Sequence, residues 1–161
     1  MSIEIDTGFE TERMDIGCEA PTLSRAMVAL ETEIQLDPVL RELVRLRASI
    51  LNGCAYCIDM HTKDARKAGE PEQRLYAVAA WREAPFFSER ERAALALTDA
   101  VTLVADTHVP ADVYEEAARH FDTKQLAQLI WQIAAINVWN RVAMATRRTA
   151  GDYQSAVAAG E

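Results

Sequence analysis

Basic residues are in short supply in this 161-residue chain: 17 lysines and arginines face 25 aspartates and glutamates, for a net charge of −8. A nucleic-acid partner would demand a basic face, so we expect none. No apolar run is long enough to span a bilayer, and an acidic surface disfavours anionic membranes. The N-terminus lacks the apolar stretch of a signal peptide, which predicts a cytoplasmic protein whose thiols stay reduced.

Alternating apolar and polar positions are also missing, as are internal repeats and low-complexity tracts. Strands are therefore not expected. Half of the residues are hydrophobic, and 161 residues suffice to bury a sizeable core. We expect a single domain over residues 1–161, with residues 1–20 as an irregular N-terminal arm because their periodicity is weak.

Helix signals, in contrast, follow one another from Thr22 with short breaks. Asp37 and Pro38 supply an N-cap and a proline at the first helical position, and Asn52-Gly53 supplies a C-terminal cap near Leu51. Later helices are predicted to begin near Cys54, after Pro71, at the capping box of residues 88–91, at Pro110 and at the capping box of residues 122–125. The pattern predicts an all-α helical bundle.

Two of the three cysteines, Cys54 and Cys57, stand just after the Asn-Gly break together with His61. At about 100° per residue, the three side chains share an arc of about 100° on one helix. Cys57 and His61 are four residues apart, so the imidazole can stand beside that thiol. Free N–H groups at a helix start favour thiolate. Such a pair is suited to peroxide reduction or disulfide exchange.

Glu42 lies on the preceding predicted helix, twelve residues before Cys54. Because only two residues separate the helices, we expect a hairpin in which this carboxylate can face His61. A carboxylate there would orient the base of a nucleophile–base arrangement.

A zinc site is the main alternative reading of the same stretch. Its candidate ligands are Cys54, Cys57 and His61, with Cys18, Glu42 or His108 as a fourth. Structural zinc sites usually take a second ligand pair from a remote turn, and the sequence has no second pair, so we expect no metal. A thioredoxin-like site would need strands, and a c-type haem would need a histidine where Ile58 stands.

Glu42, Cys54, Tyr56, Cys57 and His61 form the pattern E-x11-C-x-Y-C-x3-H. This pattern closely resembles the core motif of alkylhydroperoxidase D, in the wider carboxymuconolactone decarboxylase-like superfamily. The resemblance extends over about residues 23–147 and includes AINVWNRVA in the last long helix.

The resemblance implies an all-α fold and a homo-oligomer, either a trimer or a hexamer. It implies that Cys57 attacks the peroxide and becomes a sulfenic acid, that Cys54 resolves it as a disulfide, and that His61 and Glu42 relay protons. The implied substrate is a small organic hydroperoxide, the electrons come from an external dithiol, and no cofactor is needed.

Two other functions stay open: a metal-binding or purely structural helical protein, and a decarboxylase or lactone enzyme on the same fold. True carboxymuconolactone decarboxylases generally lack the cysteine pair, which favours the peroxidase. Tyr56 is expected either to hydrogen-bond in the site or to pack at the helix start. Asp64 projects near the face of Cys57 and His61 and is expected to be a solvated charge. Cys18 is expected to be a lone thiol without a role.

The last predicted helix is apolar on nearly every face, and such a helix must be buried all round. We therefore expect a subunit interface along it, with Trp131, Trp139 and Met144 in the core or that interface. Asn137 and Asn140 are polar on this helix and should have structural hydrogen-bond partners.

Overall fold

Nine α-helices and no strand are present in residues 12–155, the part of the chain that the computed structural model describes. The helices are α1 (Ile16–Glu19), α2 (Pro21–Glu33), α3 (Pro38–Asn52), α4 (Ala55–Lys67), α5 (Glu72–Ala77), α6 (Glu89–Thr102), α7 (Val104–Thr107), α8 (Ala111–His120) and α9 (Thr123–Thr146). A 3₁₀ turn, Val78–Ala80, follows α5. The predicted all-α fold is confirmed.

The helix ends form where the local sequence predicts them. The Asp37 carboxylate accepts from the Leu40 N–H at 3.0 Å and caps α3. Gly53 ends α3 with a φ of 72°, a conformation that side chains other than glycine adopt with strain. Ser88 and Asp122 begin α6 and α9 with complete capping boxes.

The N-terminal arm is more ordered than the sequence predicts. Residues 1–11 of the expected irregular arm lie outside the described residues, but Ile16–Glu19 forms one helical turn. Asp15 stabilises this turn because its side chain accepts from the N–H groups of Gly17 and Cys18. The prediction that all of residues 1–20 are irregular is therefore wrong for α1, since weak apolar periodicity does not register a side-chain cap.

Helix α3 lies at the centre and packs against α4, α6 and α9. Leu40 and Val44 of α3 meet apolar side chains of α6, α8 and α9 in one cluster. On its other side, Leu43 and Leu46 meet α4, α5 and α6 in a second cluster. Burying a leucine contributes about 1.5–3 kcal/mol, so α3 is held firmly and gives a fixed wall for side chains facing α4.

A charged pair is buried between α3 and α6. Arg47 donates to both carboxylate oxygens of Asp99, at 2.6 and 3.2 Å, and each residue is 8% exposed. Trp81 donates to the same carboxylate at 3.3 Å. Arg82 also bonds Asp99, at 2.5 Å, so removing Asp99 is the change that would leave the buried charge of Arg47 without a carboxylate.

Asparagines tie the turn before α4 to the last helix. The Asn52 amide donates to Asn137 at 2.9 Å and to Asn140 at 2.8 Å, and Asn140 donates to Ser49 at 3.0 Å. The predicted structural partners of Asn137 and Asn140 are confirmed. This network fixes the end of α3 immediately before Cys54.

Apolar side chains stay exposed on α2 and α9. Trp131 and Met144 of α9 are 56% and 46% exposed, so neither is a core residue of the protomer. Helix α2 buries none of its residues, and Leu23 and Val28 are exposed by 70% and 53%. Within residues 12–155, no helix has both the length and the apolar character to cross a bilayer.

Candidate active site

The two cysteines meet at the first turn of α4. Cys54 is the N-cap residue, and its sulfur accepts from the Cys57 N–H at 3.3 Å. The two sulfurs form a disulfide, with the Cα atoms 5.3 Å apart. Each cysteine is only 2% exposed. The helix start thus places the thiols within bonding distance, next to the free N–H groups that favour thiolate.

The α3–α4 hairpin brings Glu42 and His61 together. The Nδ1 atom of His61 lies 3.0 Å from a Glu42 carboxylate oxygen, and His61 is 3% exposed. Because a carboxylate can only accept, Nδ1 carries the hydrogen of this bond. The other ring nitrogen, Nε2, is buried and has no hydrogen-bond partner among residues 12–155. In the neutral imidazole Nε2 is then the basic nitrogen.

Glu42 is held as an anion by two neighbours. Besides His61, Arg45 donates to its other oxygen at 2.9 Å, and Arg45 also bonds Glu31 at 3.1 Å. Burial pushes the pKa of Glu42 upward, but the hydrogen bond and charge of His61, with the Arg45 guanidinium, outweigh it. The pKa of Glu42 therefore lies below its usual value.

A cavity of about 250 Å³ opens beside this pair. Its walls are Tyr56, Cys57, Met60, His61 and Asp64 from α4, Trp139, Val142, Ala143 and Thr146 from α9, and Ile16, Glu31, Arg45, Arg148 and Tyr153. Cys57 and His61 both line it, whereas Cys54 does not. Of the two sulfurs, the one a ligand in the cavity meets first is that of Cys57.

Tyr56 lies at the cavity wall with its ring under Arg148, whose guanidinium carbon is 4.2 Å from the ring centroid. Of the two expectations for Tyr56, packing is the contact observed. The structure thus brings together all five residues of the sequence motif, while their catalytic roles stay predictions.

Most residues that line the cavity lie outside the sequence motif, among them Asp64, Trp139 and Tyr153. The Tyr153 hydroxyl donates to the Asp64 carboxylate, at 2.9 and 3.1 Å, so the prediction of a solvated Asp64 is wrong. The predicted position of Asp64, near the face of Cys57 and His61, agrees with its place in the cavity wall. Trp139 could be read only as core or interface, and Tyr153 follows the last helix in a stretch without periodicity.

A group of candidate cation ligands includes Glu42 and His61. Within the described residues, Glu42, His61 and Asp64 each offer one ligand atom, all within 4.8 Å of one another. Glu42 and Asp64 already accept hydrogen bonds from Arg45, His61 and Tyr153, whereas Nε2 of His61 has no hydrogen-bond partner among residues 12–155. The cysteines are not in this group.

Cys18 lies apart from the site. It is an exposed free thiol whose sulfur lies 3.3 Å from Asp15. The hydrogen bond and the charge of that carboxylate raise the pKa of the Cys18 thiol, so this thiol is less reactive than an unperturbed one.

Comparison with known proteins places this geometry in a family. Residues 21–100, which include Glu42 and the whole CxxC segment, match the carboxymuconolactone decarboxylase family. The chain is 43% identical over 129 residues to the uncharacterized protein YdfG of Bacillus subtilis, covering 78% of this chain and 88% of YdfG.

Solved structures share the fold. A protein of unknown function from Agrobacterium tumefaciens, ATU0492, proposed to be the antioxidant defence protein AhpD, aligns with a TM-score of 0.86 and 38% identity, over 89% of this chain and 100% of ATU0492. The debrominase Bmp8, solved with 2,3,4-tribromopyrrole, aligns with a TM-score of 0.73 and 20% identity, over 84% of this chain and 74% of Bmp8. At that identity the likeness concerns the fold alone. By sequence and by fold, the chain belongs to the carboxymuconolactone decarboxylase family, among its AhpD-like members.

Proposed function

We propose that this protein is a thiol-dependent peroxidase that reduces organic hydroperoxides through Cys57 and Cys54. The observation that carries the proposal is the arrangement of the two sulfurs. Cys57 lines the cavity beside His61, while Cys54 lies out of the cavity yet within disulfide distance. An attacking thiol must meet the substrate, and a resolving thiol needs to reach only its partner.

The reaction consumes one hydroperoxide and two thiols. The Cys57 thiolate attacks the outer oxygen of ROOH, the O–O bond breaks, and the alkoxide leaves as ROH after taking a proton. Cys57 is then a sulfenic acid. The Cys54 sulfur attacks it, water leaves, and the disulfide forms. An external dithiol exchanges with this disulfide and restores both thiols.

His61 and Glu42 supply proton transfer in this proposal. The buried Nε2 of His61 has no hydrogen-bond partner in the described part of the chain and can take the Cys57 proton, then return it to the leaving alkoxide. Glu42, bonded at Nδ1, orients the ring and stabilises the imidazolium. Because Glu42 stays ionised at neutral pH, it can do so throughout the cycle.

The cavity favours a small substrate with an apolar body. Its volume of about 250 Å³ lies near the lower limit for ligand pockets. Met60, Trp139 and Val142 give it an apolar wall. A short organic hydroperoxide fits this description.

The exposed apolar side chains support assembly into a homo-oligomer, for which the family resemblance implies a trimer or a hexamer. Leu23 and Val28 on α2, with Trp131 and Met144 on α9, are large and exposed in the single protomer. Surfaces of this kind mark interaction sites. We place the protein in the cytoplasm, where a dithiol reductant can keep the pair reduced.

Cysteine variants test the proposed function. Cys57→Ser should abolish peroxide consumption, whereas Cys54→Ser should allow one stoichiometric turnover and leave a sulfenic acid at Cys57, detected by mass spectrometry. Cys18→Ser is the control and should turn over like wild type. An indispensable Cys54 in the first turnover would reverse the roles. Thiols that stay alkylatable after peroxide would refute the peroxidase and favour the structural or decarboxylase alternatives.

A further inference from the structure

The chain after α9 folds back along α4 rather than leaving the domain. Helix α9 ends with Arg147 in a left-handed conformation, at a φ of 54°. Gly151, at a φ of 117°, allows a second change of direction that a side chain would strain. We call residues 148–155, which follow this path, the strap.

The backbone of the strap is docked on one face of α4. The Lys63 ammonium donates to the carbonyls of Gly151 and Tyr153, at 3.0 and 2.9 Å. Asp59 fixes Lys63 at 2.8 Å and accepts from the Gly151 N–H at 3.3 Å. Lys67 donates to the Ser155 carbonyl at 3.2 Å. Asp59, Lys63 and Lys67 are spaced by four residues, so they form one row on the helix.

Two side chains of the strap reach over this row into the cavity. Arg148 stacks on Tyr56 at the start of α4, and the Tyr153 hydroxyl bonds Asp64 farther along the same helix. Tyr56 and Asp64 are eight residues apart, or about 12 Å along the axis. Cys57 lies between them. The strap therefore runs beside the cavity from the reactive thiol to beyond the imidazole.

We propose that Tyr153 is a specificity-determining residue, which limits the size of the molecule that reaches Cys57, and that Asp64 is its positioning residue. The ring lines the cavity, and it is held at its hydroxyl by Asp64 and at its backbone by Lys63. With the backbone held by Lys63, the ring cannot move aside without losing the charge-assisted hydrogen bond from its hydroxyl to Asp64. The size limit selects short hydroperoxides, and this part rests on the proposed function.

Peroxide kinetics test the specificity. Tyr153→Ala should raise kcat/KM for cumene hydroperoxide relative to hydrogen peroxide by about tenfold or more, within the range that pocket shape contributes elsewhere. Tyr153→Phe keeps the ring but loses the hydrogen bond to Asp64. Its ratio of kcat/KM for cumene hydroperoxide to that for hydrogen peroxide should therefore lie between the ratios of wild type and Tyr153→Ala. The matched control is Tyr76→Ala, because Tyr76 also bonds a carboxylate, that of Glu72, but is 72% exposed and lies outside the cavity. An unchanged ratio in Tyr153→Ala would overturn the specificity role.

Alkylation tests the same limit without relying on peroxidase activity. In a Cys18→Ser, Cys54→Ser background, Cys57 is the single thiol. Tyr153→Ala should accelerate the reaction of Cys57 with a fluorescein maleimide about tenfold more than the reaction of Cys57 with iodoacetamide, because the larger reagent gains more from a wider pocket. Equal acceleration of both reagents would overturn the inference. If Tyr153→Ala selectively accelerates the maleimide reaction and the wild-type protein consumes no peroxide, the size limit is upheld and the proposed function is refuted.

A second variant covers a failure of Tyr153→Ala to fold. Lys63→Met removes the tether to the carbonyls of Gly151 and Tyr153 and substitutes no residue that lines the cavity. It should change the maleimide-to-iodoacetamide ratio in the same direction as Tyr153→Ala. Asp64→Ala should do so as well, because the phenol loses its acceptor. A folded Lys63→Met protein with the wild-type ratio would show that the strap does not restrict access.

Discussion

Replacing Glu42 by glutamine removes one charge from the centre of the site and almost no volume. In the native protein the carboxylate receives Nδ1 of His61 at 3.0 Å and a guanidinium N–H of Arg45 at 2.9 Å. The glutamine oxygen can still accept one of these bonds. Arg45 keeps its second partner, Glu31, at 3.1 Å, so it is not left unpaired. The variant should therefore fold.

The expected loss follows from those contacts. A hydrogen bond to a charged group is worth about 1.5–3 kcal/mol. Since 1.36 kcal/mol corresponds to a factor of ten, losing the charged partner of the imidazolium should slow peroxide reduction by about 10–10²-fold. Loss of ring orientation adds to this, within the range of about 10²–10⁴ that acid–base assistance supplies. We expect a decrease of about 10²-fold in kcat/KM.

The assay combines peroxide consumption with the pH dependence of Cys57 alkylation, which should shift to higher pH in Glu42→Gln. Because the pKa of Glu42 lies below its usual 4.5, wild type and variant should differ throughout the neutral range. Glu70→Gln is the control, since Glu70 is a comparably buried carboxylate that bonds Arg74 at 2.8 Å outside the cavity. A wild-type rate and alkylation profile in Glu42→Gln would remove Glu42 from the relay.

Three further outcomes are expected. Burial, followed by the hydrogen bond and charge of Asp64, raises the pKa of Tyr153 from 10.0 to about 12. The stability that this hydrogen bond gives the folded protein is therefore full below pH 10.0 and is lost as the pH rises through about 12. In Asp64→Asn, Tyr153 should ionise at a lower pH than in wild type, as followed by ultraviolet absorbance. An unchanged titration would contradict the contribution of Asp64 to this pKa. Asp99→Ala should cost about 3–5 kcal/mol in urea unfolding by stranding the charge of Arg47, and a cost below about 1 kcal/mol, the level of an exposed pair, would contradict that. Trp131→Glu should shrink the particle in sedimentation; a wild-type monomer of 17.9 kDa would refute assembly.

Local chemistry made much of the site predictable. The caps at Asp37 and Gly53 depend on neighbours within a few residues, so the hairpin and its turn could be placed from the sequence. The four-residue spacing of Cys57 and His61 fixed their common face. Glu42 was within reach because a two-residue turn leaves the helices few ways to pack.

What the sequence could not supply depends on contacts between distant segments. Asp64 read as a solvated charge because its partner, Tyr153, lies 89 residues away in a stretch that no periodic pattern links to α4. Trp131 and Met144 read as core or interface because apolar periodicity shows that a face avoids water and not which surface covers it. The protomer leaves both exposed.

Helix α2 also contributes to the electrostatics of the site. Helix α2 buries no residue, yet its Glu31 shares Arg45 with Glu42, and Glu42 holds His61. If α2 moved away from α3, Arg45 would lose its bond to Glu31 and would interact with Glu42 alone. Arg45 would then neutralise more of the Glu42 charge, and Glu42 would stabilise the His61 imidazolium less. Substitutions that shift Glu31 would therefore change turnover without replacing any fully buried residue of the protomer. In evolution, this helix offers a way to adjust the rate without altering the cysteines or His61.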